Sequence, residues 1–205
     1  MNVLRMAGGA ALLMVALNTM AIEEATYQVV VDEDQLQVRE YAPQIVAEVV
    51  VEGDFEDAGN MAFRKLFKYI SGENTSNEKI AMTAPVSQQQ RGEKIAMTAP
   101  VSQQAQDDGW AVSFMMPADY SLDTIPAPSE PSIKIRAIPA HRMAAIRFSG
   151  RWTKKNYEKH LAELKTWAKT RELVVSGEPV WARYNSPFAL WFMRRNEILL
   201  QVENQ

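Results

Sequence analysis

Glu78–Gln89 reads E-K-I-A-M-T-A-P-V-S-Q-Q, and the same twelve letters recur fifteen positions later at Glu93–Gln104. Identity over that length marks a tandem duplication or a paired structural device. Within the segment the side chains alternate: Ile80, Met82 and Ala84 point one way, Ala81 and Thr83 the other. A period of two predicts a strand. Pro85 should end the pairing, because it offers no N–H to a ladder. The connector Gln88–Gly92 is polar and ends in glycine, so the two copies could fold back on each other as a hairpin.

On the N-terminal side, Tyr27–Val31, Leu36–Tyr41 and Ile45–Glu52 read as strands. A helix is predicted over residues 57–70, with Phe63, Leu66, Phe67 and Ile70 on its apolar face and Met61, Arg64, Lys65 and Lys68 opposite. Gly72 is its stop signal. On the C-terminal side Trp110–Met116 alternates as a strand, and Pro117, Pro126, Pro128 and Pro131 stiffen a crossover. The same order then returns. Ile133–Ile138 and Arg142–Ser149 are strands, residues 154–171 a helix, and Glu178–Tyr184 and Leu190–Val202 strands. An offset of 97 superposes the halves, placing Val38 on Ile135, Gly53 on Gly150 and Phe55 on Trp152. Neither half can bury its own apolar faces alone. The expected fold is α+β: a distorted β-barrel or curved antiparallel sheet from two pseudo-repeated ββαββ units, residues 27–116 and 132–203, with two main helices packed outside. Residues 22–205 then form a single domain.

The chain has 205 residues, 47% apolar and 23% charged, with a net charge of −3 and no basic run, so nucleic acid is not an expected partner. Arg5, the apolar run Met6–Leu17 and small residues at Thr19 and Ala21 have the layout of a secretory signal peptide over residues 1–21. A periplasmic or secreted monomer follows, without stable membrane insertion once the signal is removed; an uncleaved anchor is the alternative. The run is shorter than the ~20 residues of a membrane span. The absence of cysteine excludes disulfides, thiolate catalysis and cysteine metal sites.

No catalytic motif is present: there is no G-x-S-x-G elbow, no phosphate loop and no pair of histidines at metal spacing. His160 reads as a helix position at the edge of the core, on the face of Tyr157, Leu164 and Trp167, and His141 as a turn residue. Glu178 and Tyr184 share a strand face, where a buried carboxylate could act as a base, though a salt-bridged strand-edge Glu accounts for the same pattern. Met61, beside Arg64, Lys65 and Lys68, suits either a solvated basic face or contact with a flat apolar ligand bearing carboxylates.

Several stretches together resemble the SOUL heme-binding family, and the doubled segment resembles its bacterial members. They are K-I-A-M-T-A-P-V (Lys79–Val86 and again from Lys94), K-Y-I-S-G (Lys68–Gly72), F-S-G-R-W (Phe148–Trp152), A-R-Y-N-S-P (Ala182–Pro187) and R-R-N-E-I (Arg194–Ile198). The resemblance implies a distorted barrel of two related halves and non-catalytic binding of heme or other tetrapyrroles, as an exported carrier or buffer. It places the porphyrin near the first helix, where Met61, Arg64, Phe67 and Lys68 are the matching residues. A histidine serves as axial ligand in one animal relative. The first half of this chain has no histidine, so that ligation is not carried over and the metal ligand is left open. The alternative is small-molecule binding or hydrolysis on the related gyrase-inhibitor-like fold, with Glu178 and Tyr184 as the residues to test.

Overall fold

The computed structural model describes residues 22–76, 92–107 and 109–203. The signal-peptide segment and the first copy of the repeated stretch lie outside the described residues.

Thirteen strands and two helices occur among the described residues. The strands are β1 (Glu23–Glu24), β2 (Tyr27–Glu33), β3 (Leu36–Tyr41), β4 (Gln44–Val51), β5 (Asn74–Thr75), β6 (Thr98–Ala99), β7 (Val101–Gln106), β8 (Gly109–Met115), β9 (Ala127–Pro128), β10 (Ile133–Ile138), β11 (His141–Phe148), β12 (Val175–Arg183) and β13 (Asn196–Val202). The helices are α1 (Phe55–Ile70) and α2 (Lys154–Thr170). Nine strands form one antiparallel sheet in the order β10-β4-β8-β7-β12-β13-β11-β3-β2. Its end strands, β10 and β2, do not pair with each other, so the sheet curves without closing into a barrel.

The pairing register shows why both helices share a face. Ile133, Val49, Val112, Gln103, Trp181, Ile198 and Ile146 lie directly opposite one another, strand to strand. Residues directly opposite point to the same side. α1 packs on that side against Ala47, Val49, Val51, Val112 and Phe114. α2 packs on the same side against Val38, Ala144, Ile146, Phe148, Ile198 and Leu200. Gly53 (φ +117) and Gly150 (φ +132) follow β4 and β11 in the left-handed region, where a side chain would be strained.

Two expectations are corrected. In the second copy of the repeat, residues 92–97 form no strand. Thr98–Ala99 pair in parallel with Glu23–Glu24, and the main strand begins after Pro100. Ile95 is buried and Met97 packs with it against the α1 core, so the alternating apolar residues serve that core rather than a ladder. The hairpin expected between the two copies involves the first copy and lies outside the described residues. The stretch predicted as a strand from Leu190 starts only at Asn196. Before it, Trp191–Met193 make a 3-10 turn.

Candidate functional site

α1 begins where the Asp54 side chain accepts a hydrogen bond from Asp57 N, and Glu56 and Asp57 sit favourably against the positive end of the helix. Its buried stripe is Ala58, Gly59, Ala62, Leu66, Tyr69 and Ile70. The small residues let the helix sit close to β4 and β8. The Tyr69 hydroxyl donates to Pro126 O at 2.8 Å. This stripe is turned by roughly a quarter turn, at 100° per residue, from the one the apolar spacing predicts. Phe67, expected on the core side, is therefore 48% exposed.

The four residues expected at the ligand site all reach solvent, but they do not form one patch. Met61 and Phe67 lie about 120° apart around the helix, on opposite flanks of Arg64. Met61 faces Gly53. Phe67 stacks on Phe63 with ring centres 5.9 Å apart, and Phe63 meets Phe114 edge-on at 5.3 Å. Arg64 donates through Nε to Asn60 O, and Lys68 pairs with Glu73 at 3.5 Å, both pairs exposed.

Next to Phe63 the helix flank closes a cavity of about 70 Å3, whose other walls are Val101, Trp152, Arg183, Asn185 and Pro187. Beyond Pro187 runs a loop whose large apolar side chains meet water: Phe188 at 94% exposure, with Leu190, Trp191, Phe192 and Met193 between 49% and 69%. An exposed apolar patch of this kind marks a contact site for a ligand or partner. The sequence predicts a strand from Leu190 onward, which hides this loop. Its lack of alternation, just after Pro187, was the available signal.

The chain matches the SOUL heme-binding protein model over residues 22–201. It belongs to the SOUL heme-binding protein family. Heme is accordingly a ligand of this family's members. Among curated proteins none matches the chain. Among solved structures it is similar to the C-terminal domain of EcmrR, with 13% identity, a TM-score of 0.57 and coverage of 87% of this chain and 99% of that one. It is also similar to a hydrolase from Listeria innocua, with 11% identity, a TM-score of 0.53 and coverage of 85% and 94%. At such identities these likenesses show the fold.

Elsewhere in this SOUL-family chain the titratable groups serve structure. Glu197, fully buried on the open face of the sheet, accepts from Arg39 Nη1 at 2.6 Å, Arg195 Nε at 3.0 Å and the Tyr184 hydroxyl at 2.9 Å. Burial alone would raise its pKa, but the hydrogen bond and charge of Arg39, with Arg195 and Tyr184, hold it below the ordinary carboxylate value. Tyr184 is thus committed to Glu197, and Glu178 is exposed, so the pair weighed for hydrolysis forms no buried acid–base site. His160 stacks on Phe148 at 4.0 Å, and His141 stacks on Tyr41 at 5.3 Å with Nδ1 2.8 Å from Pro139 O. Neither lines the cavity beside α1. Among the described residues no group of three His, Asp or Glu side chains is placed to hold a metal ion.

Proposed function

We propose that this chain binds heme or a related tetrapyrrole between the outer flank of α1 and the Phe188–Met193 loop, and that it does so as an exported carrier or buffer. The supporting observations are the stacked Phe63–Phe67 pair, with Phe67 half-exposed beside Arg64, and the exposed apolar side chains that follow Pro187, a residue that shares a cavity wall with Phe63. Heme is a large apolar disc with two carboxylate arms. Covering about 200 Å2 of it would contribute roughly 5 kcal/mol before association costs. The exposed cations would add about 0–1 kcal/mol each. The 70 Å3 cavity is too small for the macrocycle, so the ring would rest on the surface beside it.

Hemin titration tests the reading, followed by the Soret band and by tryptophan fluorescence. Both should change with micromolar hemin. Signals unchanged at tens of micromolar would refute it. Arg64→Glu with Lys68→Glu should weaken binding several-fold, and unchanged affinity would move the site off α1. Export is tested by sequencing the N-terminus of protein recovered outside the cytoplasm, where processing after Ala21 is expected.

A further inference from the structure

Arg183 closes β12 and points to the helix side of the sheet, level with Val101, Phe114 and Asn196 on neighbouring strands. α1 covers β4 and β8, while α2 covers β11 and β13. Arg183 and Gln103 therefore sit in the seam between the two helices. Gln103, 1% exposed, donates through Nε2 to Phe55 O at 2.8 Å and accepts from Arg183 Nη2 at 2.8 Å. The Trp152 and Trp181 rings lie 5.4 and 5.1 Å from the guanidinium carbon.

Arg39, Arg136 and Arg195 each have a carboxylate partner, which this arginine lacks among the described residues. Arg39 and Arg195 pair with Glu197, and Arg136 pairs with Glu48. Arg183 has no carboxylate within 4.0 Å among the described residues, and its Nε is enclosed without a hydrogen-bond partner. Burial lowers its pKa to about 10, the mark of a cation stripped of water and given no anion in return. A guanidinium has five donors, and one is used among the described residues. The helix also makes room for it. A Cβ on Gly59 would stand 2.7 Å from Nη2 and 2.9 Å from Gln103 Oε1, so α1 carries no side chain at the point where it crosses the guanidinium. The cavity that Arg183 lines is about 70 Å3, room for a carboxylate and its short alkyl arm.

We infer that this cavity is an anion subsite, in which Arg183 takes one carboxylate of the ligand while the rest of the ligand lies on the Phe63–Phe67 surface. The inference rests on the tetrapyrrole reading for the identity of the ligand, and it adds a requirement that reading does not contain. A flat apolar ring alone is insufficient, and a free carboxylate must enter beside Gly59. A buried bidentate arginine–carboxylate pair is stronger than the exposed pairs Arg64 and Lys68 can make. Arg183, rather than those two, should then set the preference for free acid over ester.

The test compares protoporphyrin IX with its dimethyl ester, by tryptophan quenching of the purified chain. The diacid should bind at least tenfold more tightly. Arg183→Gln should erase that preference while leaving ester binding within about twofold. Gly59→Ala, which keeps the cation but pushes a methyl against it, should reduce the preference too. Arg64→Glu should preserve most of it. Equal affinity of the normal chain for acid and ester, or an unchanged preference in Arg183→Gln, overturns the inference and leaves the tetrapyrrole reading standing. If neither porphyrin binds, that reading fails, and millimolar propionate then probes the subsite alone. A shift of the Gly59 amide resonance that is absent in Arg183→Gln supports the subsite; no shift in the normal chain overturns it.

Discussion

Replacing Phe67 by alanine is the sharpest perturbation of the α1 surface, because it separates ligand binding from folding. Phe67 is 48% exposed. Of the roughly 200 Å2 a fully buried phenylalanine covers, about 100 Å2 is still open to a ligand. At ~25 cal/mol per Å2, covering that area contributes about 2.5 kcal/mol. Alanine retains a fraction of it, so binding should weaken by about 2 kcal/mol, roughly thirtyfold in Kd. Folding should lose about 1 kcal/mol, chiefly the contact with Phe63 at 5.9 Å. Hemin quenching of tryptophan fluorescence gives the first quantity and urea denaturation the second. Phe67→Leu should fall between the two. A change in Kd under threefold, with native stability, would refute the placement of the ring under the macrocycle.

Glu197→Gln should cost about 3 kcal/mol or more, since it strands the buried Arg39 guanidinium without its counter-charge. A shift of less than 1 kcal/mol in urea would show that the cluster is not buried as described. His160 bears on the pH dependence. Burial first, then the charge of Lys159, lowers its pKa below the usual 6.5, against the pull of Glu163. The folded chain thus takes up the proton less readily than the unfolded one. Stability is full above pH ~6.5 and falls as the pH drops from there towards the folded value. His160→Gln should flatten the Tm profile between pH ~6.5 and the onset of carboxylate titration near 4.5; an unchanged slope would sink this account. Leu66→Ala, at a position with 0% exposure, should cost about 2–5 kcal/mol in the same denaturation assay, and a loss under 1 kcal/mol would contradict the burial of that stripe.

Strand and helix positions were legible because each element carries a local period: L-Q-V-R-E-Y and I-K-I-R-A-I became β3 and β10 at the residues expected. The face of α1 was less so. Counting apolar residues favoured Phe63 and Phe67, yet the helix face buried against the sheet includes Ala58, Gly59 and Ala62. A pattern of hydrophobicity cannot anticipate that, because close packing selects small side chains as readily as apolar ones. Of the expected site, Phe67 and Arg64 share the exposed surface beside the cavity, while Met61 turns to the other flank. The sequence places Leu190–Met193 in the last strand, and Arg183 in the motif A-R-Y-N-S-P or in an ion pair with Glu178, so neither the exposed loop nor the unpaired guanidinium is legible there.

Local order alone determined that this chain alternates strands with two amphipathic helices and carries the SOUL stretches, since periodicity and motif are properties of neighbouring residues. Only the tertiary structure decided that Arg183, Gln103 and Gly59 meet. They come from β12, β7 and α1, and they are joined by strand register and by the distance at which a helix without a side chain can cross a sheet. The missing counter-charge at that crossing is a fact about three dimensions, because an ion pair depends on separation in space and not on spacing along the chain.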